Sequence, residues 1–288
     1  MQSLKKYSNI TGLLVFFISL FVYYHSVERT GSLWDCGEFI LGAYKLQVVH
    51  PPGAGLFVII GRMFAWLATV FSDDPAYIAF AVNLMSAICT SIAAMMIAWT
   101  TIMFGKLALL GRNTDTSNAE NIALSFAGLV AGLATAFSTS IWFSAVEGEV
   151  YAMSTMFTVM TLWAATKYYY IEDESEALRW LVLSLFVSGM SVGVHLLSIL
   201  SLPAIALLVY YKKYKKHTIK GALIAMAAGV AAIVFIMKVV IVGIPTLWKN
   251  MELLFVNSFG LPVHSGIIPT LLIVAAVGYF GVKYAQKK

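Results

Sequence analysis

Apolar runs of about twenty residues recur along this chain, and they leave it few ways to fold. They lie at 10–25, 76–104, 121–143, 150–170, 179–211, 221–243 and 266–283, each near or above the ~20 residues a helix needs to cross a bilayer. Of the 288 residues, 60% are hydrophobic and only 11% are charged, whereas a soluble domain carries about 25% charged residues. A bundle whose lipid-facing side chains are apolar all round accounts for that deficit; a water-soluble globule does not. The pattern predicts an all-α, polytopic helical membrane protein.

The net charge of +5 is no nucleic-acid signal. The lysines gather in short hydrophilic gaps such as YYKKYKKHTIK, where they act as topology determinants. Cys36 and Cys89 form no disulfide framework and no metal-ligand spacing. The N-terminus, MQSLKKYSNITGLLVFFISLFVYYHS, has the basic start and apolar run of a signal peptide but no small-x-small cleavage site, so it reads as an uncleaved first span.

Two stretches are ambiguous, and charge decides both. Residues 55–71, GLFVIIGRMFAWLATVF, are apolar but contain Gly61 and Arg62 and follow Pro51-Pro52-Gly53. Residues 179–211 are too long for one span at 1.5 Å per residue and are interrupted by GMSVGVH. If 55–71 lies in the interface and 179–211 is a hairpin turning near His195, most of the Lys and Arg fall on one side. Arg29, Lys45, Arg62 and Lys249 remain on the other, with Lys238 inside a span. The positive-inside rule supports that arrangement. It gives about eight transmembrane helices and a long first outer loop, 26–75, carrying interfacial helices. The chain is expected to form one membrane-embedded domain over 1–288. Because it stops soon after its last span, it is also expected to be the N-terminal part of something longer.

The outer face collects the ionisable groups. Asp35 and Glu38 are three apart and share one face of a helix. Two readings of them stay open. Ser32 precedes Asp35 at capping-box spacing, so the acids can simply start a helix; or they form a carboxylate pair at the water–lipid boundary, one member a general base. His50 precedes the Pro51-Pro52-Gly53 turn, which either holds it over a site or carries it incidentally. Glu147 and Glu149 stand near Tyr151 at a helix end on the same side. A single acid would satisfy the cap, so two suggest a shared polar cavity. Arg62 and His195 complete the set. The sequence holds no Walker A, Rossmann, zincin or nucleophile-elbow motif, which argues against cytosolic nucleotide chemistry.

Four segments in order, WDCGEF…HPPGAGLFVIIGRMF, AVNLMSA, SAVEGEVYAMSTMF and GVHLLSILSLPA, resemble the N-terminal membrane part of the bacterial protein O-mannosyltransferase-like family. That family belongs to the membrane glycosyltransferases of the GT-C fold. The resemblance covers roughly residues 10–210, and the remainder matches no motif. It implies a GT-C-like fold with Asp35 as the catalytic acid group of the first outer loop and Glu38 beside it. It places His50, Glu149, Tyr151 and His195 at recurrent polar positions. Where many relatives carry an arginine before the VN of the second span, this chain has Ala81. Arg62, or else His195, is therefore expected to meet the donor phosphate, with Glu147 in the same pocket. More spans and an outer soluble domain, frequent in such enzymes, are expected to lie outside these residues.

The implied function is an inverting transfer of a hexose, mannose by expectation, from a polyprenyl-phosphate sugar donor to Ser or Thr of an exported protein acceptor. The setting would be the outer face of a bacterial cytoplasmic membrane. The lipid bilayer is a partner and nucleic acid is not. No cofactor is expected. A divalent metal on the acids is the weaker alternative, because a donor with a single phosphate offers less for a metal to neutralise than a pyrophosphate. Two other readings compete: a lipid or lipid-linked-sugar transporter, which should show paired broken helices in two halves, and a non-catalytic subunit of an export or glycosylation assembly.

Overall fold

A computed structural model describes residues 2–72, 74–112 and 115–287. The described residues form helices joined by turns and loops, without strands. The chain divides into two compact units, Met1–Thr218 and Ile219–Lys288, where the sequence reading takes 1–288 as one domain.

The first unit is built around α4 (Pro75–Leu110), which packs against α1 (Gln2–Ser26), α3 (Gly55–Thr69), α5 (Asn118–Ala136) and α7 (Val150–Tyr170). Local sequence sets the helix starts. Asp74 accepts from the Ala76 N–H ahead of Pro75, and Ser117 and Glu120 form a reciprocal capping box for α5. Close helix approach depends on small residues. A Cβ on Gly132 would stand 2.8 Å from Val15 Cγ1 and 2.9 Å from the Ala94 carbonyl, so α5 can lie against α1 and α4 only with glycine there. Outward faces carry Phe17, Phe21, Phe126, Val130, Val182 and Phe186, all exposed. So much exposed apolar surface suits lipid, not water.

Among the described residues, six helices are long and apolar enough to cross a membrane, by length and composition. Two more of the expected eight, α7 and α8 (Glu174–Ser191), have spanning lengths of 21 and 18 residues but are more polar. α7 sits between α4 and α8 and buries Ser154, Thr161 and Thr166, so it faces protein where a lipid-exposed helix would need apolar residues.

Three boundaries differ from the sequence reading. The single span expected over 121–143 is broken at Phe137–Ser138, with α6 (Thr139–Val146) following α5. There the buried Tyr23 hydroxyl donates to the Ala136 carbonyl, which satisfies a group the end of α5 leaves open. α4 extends through Lys106 to Leu110. The segment expected to be one hairpin begins earlier, at Glu174. It breaks at Val192–His195 as anticipated, then continues as a 3-10 helix (Leu196–Ser201) and α9 (Leu202–Lys213). Residues 55–71 form the short α3, whose 15 residues do not reach spanning length.

In the second unit the helix expected over 221–243 runs on as α10 (Ile219–Phe235), a π segment (Ile236–Gly243), α11 (Ile244–Leu253) and a second π segment (Leu254–Ser258). Its 40 residues extend about 60 Å, twice the ~30 Å hydrocarbon thickness. Glu252 then accepts the backbone N–H groups of His264 and Gly266, closing the loop before α12 (Ile267–Gln286).

Candidate active site

α2 (Cys36–Lys45) starts immediately after Asp35, which occupies the N-cap position. The Asp35 side chain makes no capping hydrogen bond, and Ser32 is not the cap. The carboxylate therefore stands at the helix start without making the capping hydrogen bond. Both Asp35 oxygens are left for other partners.

His50 stands between the two acids. Its Nδ1 is 3.0 Å from Glu38 Oε2, its backbone N–H donates to Glu38 Oε1 at 2.6 Å, and its Nε2 lies 3.9 Å from Asp35 Oδ2. The Glu38 hydrogen bond raises the His50 pKa, and the same bond lowers that of Glu38. The Pro51-Pro52 turn supports the histidine: Gly53, at φ 90°, donates its N–H to the His50 carbonyl at 2.9 Å. Phe39 packs on the His50 ring at 5.5 Å.

The rest of the site arrives from far along the chain. Leu56 N–H donates to the Gly193 carbonyl at 2.7 Å, joining the start of α3 to the break between α8 and the 3-10 helix. A continuous helix there would spend that carbonyl internally. The break also brings His195 beside Tyr151, with ring centroids 5.3 Å apart. His195 Nδ1 accepts from Leu197 N–H at 3.2 Å, which leaves the proton of the neutral ring on Nε2. Burial lowers its pKa and favours that neutral form.

Asp35, His50, Glu149, Tyr151 and His195 thus line one cavity of about 150 Å³. Glu149, the N-cap of α7, is 6% exposed. Burial pushes its pKa up to about 7, with the charges of Asp35 and Glu147 adding to the effect. Glu38 sits outside the lining, bonded to His50. Glu147 also sits outside, at the C-cap of α6.

Arg62 is not in the cavity. Its guanidinium donates to the Tyr44 carbonyl and lies 5.6 Å from the Tyr44 ring, because the turn of α3 that carries it faces α2. Among the described lining residues there is no Lys or Arg, so any anion entering would meet His50 and His195. Asp35, Glu38 and His50 offer ligand atoms within 4.8 Å of one another. A cation there would draw on the carboxylates and a ring nitrogen of His50.

Sequence reasoning missed Asn83. Fully buried, it donates to the Glu28 and Thr30 carbonyls at 2.9 and 3.0 Å, and its Oδ1 lies 3.7 Å from Cys36 Sγ. It therefore ties the linker from α1, and the start of α2, to α4. Gly148 leaves room for it, since a Cβ there would meet Asn83 Oδ1 at 2.9 Å. An amide inside the apolar run of α4 was the available signal.

Residues 35–218 match the protein O-mannosyl-transferase TMEM260 N-terminal domain. The chain belongs to that family. The matched segment contains every cavity residue and ends where the first compact unit ends. Among curated proteins, the protein O-mannosyl-transferase tmem260 of Dictyostelium discoideum is 28% identical over 166 residues. That alignment takes in 57% of this chain and 18% of the relative, so the TMEM260-type segment here corresponds to a minor part of that protein. No solved structure matches.

Proposed function

We propose that this chain is the membrane-embedded part of an inverting, GT-C-type glycosyltransferase. It would move a hexose, mannose by preference, from a polyprenyl-phosphate donor to a Ser or Thr hydroxyl of an exported protein. The site would face outward from a bacterial cytoplasmic membrane. One observation carries the reading: within the family-matched segment, residues from four separate stretches of an otherwise apolar chain converge on one small polar cavity.

In the proposed reaction Asp35 takes the proton of the acceptor hydroxyl. The hydroxyl oxygen forms its bond to the anomeric carbon as the bond from that carbon to the phosphate oxygen breaks. The electron pair leaves on the polyprenyl phosphate. That leaving group needs positive charge and hydrogen-bond donors more than a proton. His50, held toward its cationic form by Glu38, and the Nε2–H of His195 supply them. Glu149, with its pKa near 7, offers an O–H donor when protonated. The reading routes no step through a metal.

The test is direct. Purified protein in detergent or nanodiscs is incubated with radiolabelled polyprenyl-phosphate mannose and a Ser/Thr-rich exported acceptor. The expected result is label in the acceptor that alkaline β-elimination releases. Donor that binds and crosses the bilayer with no transfer to any hydroxyl would refute the reading.

A further inference from the structure

The first unit has a second cavity at the end away from Asp35. Along α4, Lys106 lies about 35 Å beyond Asn83 at 1.5 Å per residue. Here α1, α4, α7 and α8 enclose about 520 Å³, within the ~300–1,000 Å³ that small-molecule sites occupy.

Its walls are aromatic and its charges have one sign. Trp163 packs between Trp99 and Trp180, with centroids at 5.8 and 5.2 Å. Trp99 Nε1–H donates to the Ser8 carbonyl at 3.1 Å. Tryptophans of a membrane boundary belt face lipid headgroups; these three face one another and the cavity. Lys5, Lys106 and Lys167 line the same space. Lys167 lies 5.6 Å from the Trp163 ring.

Lys106 is 2% exposed. Its Nζ donates to the Arg112 carbonyl at 3.0 Å and to the Tyr170 hydroxyl at 2.9 Å. Both acceptors are neutral, so its charge is solvated but not compensated, and a buried ammonium is costly without a counter-charge. Among the described residues no carboxylate makes an ion pair with any of the three lysines.

The described lining thus carries three cations and no carboxylate, and its walls call for an anion that carries an apolar chain. We propose that this cavity binds a membrane lipid whose headgroup is a net-anionic phosphomonoester, with the phosphate on Lys5, Lys106 and Lys167 and the hydrocarbon against the three indoles. A free phosphate would meet the same lysines but leave the indole surface uncovered. The proposal stands independently of the transfer reaction, because none of these residues belongs to the catalytic cavity.

Retention of dioleoyl-phosphatidic acid by the purified full chain, counted by native mass spectrometry, tests this. Dioleoyl-phosphatidylcholine and inorganic phosphate serve as competitors. One phosphatidic acid should be held at least ~10-fold more tightly than either competitor. Lys167→Met and Lys106→Met should each weaken retention ~10-fold or more, the loss expected for a charge-assisted hydrogen bond. Lys106→Met removes structural hydrogen bonds as well. Lys167→Met removes none, so weaker retention with an unchanged melting temperature supports the site directly. Equal retention of phosphatidylcholine, displacement by equimolar inorganic phosphate, or full retention by Lys167→Met would each overturn the proposal.

Discussion

Glu38 grips His50 twice, one carboxylate oxygen taking the backbone N–H at 2.6 Å and the other facing Nδ1 at 3.0 Å. It can therefore fix both the position of the loop and the charge of the ring without touching a substrate. In the second unit Glu252 holds the backbone at His264 and Gly266 with its two oxygens, a related use of one carboxylate to close a loop. Asp35, three residues before Glu38, has no such duty, and that separates the roles of the two acids.

Asp35→Asn should fold like the parent, because the side chain makes no cap hydrogen bond and asparagine is itself a good N-cap. Transfer should fall by at least ~100-fold, since general-base catalysis contributes ~10²–10⁴. Glu38→Gln should be milder, because the amide oxygen can still accept the His50 N–H. Near-parental turnover in Asp35→Asn, measured with the radiolabelled donor, would remove Asp35 as the base.

The pKa of Glu149, raised from 4.5 to about 7 by burial, gives a signed pH dependence. If its protonated form assists the leaving phosphate, transfer declines as pH rises through about 7. Stability follows the same sign: the folded state binds this proton more tightly than the unfolded one. Its contribution is complete below pH 4.5 and is lost by about 7. Glu149→Gln should flatten both the alkaline limb of the rate profile and the drop in melting temperature. An unchanged limb would point to another group.

Asn83→Ala should destabilise the protein by about 1–3 kcal/mol, the usual cost of stranding buried hydrogen-bond partners. The Glu28 and Thr30 carbonyls lose their donor. Hydrogen exchange should rise first across 28–36, ahead of the bundle. Uniform loosening of the whole first unit would show that Asn83 is a general packing residue and not a tether for this linker.

Single cysteines placed at 47 and 48 should react with an impermeant thiol reagent from one side of the membrane, and cysteines at 215 and 216 only from the other. The charge pattern orients the first pair outward. Labelling of both pairs from the same side would break the sidedness on which the proposed acceptor depends.

What the sequence made legible follows its chemistry. Charge is scarce in this chain, so Asp35, Glu38, His50, Glu149 and His195 stood out, and the structure gathers four of them around one cavity with the fifth holding His50. The hairpin break could be read because 179–211 exceeds one span. Arg62 was misplaced because the rotation of α3, which turns that side chain to Tyr44, depends on packing that no local pattern encodes. Asn83 stayed hidden because its partners are backbone carbonyls more than fifty residues earlier. The break at Phe137 depends in part on Tyr23, a residue of another helix.

The Leu56–Gly193 hydrogen bond imposes an order on biosynthesis. The acid-bearing loop leaves the ribosome first, and its docking partner follows only after α4 through α8 have been made. At ~5–20 residues per second that interval is roughly 7–30 s. Throughout it Asp35, His50 and Glu149 have no cavity to line, and the Leu56 N–H has no carbonyl. A nascent chain arrested short of Gly193 would carry the acid-bearing loop and both glutamates of the EGE turn, yet lack the joint that closes them into one compartment. The site is thus a late product of translation, although its first residues are among the earliest made.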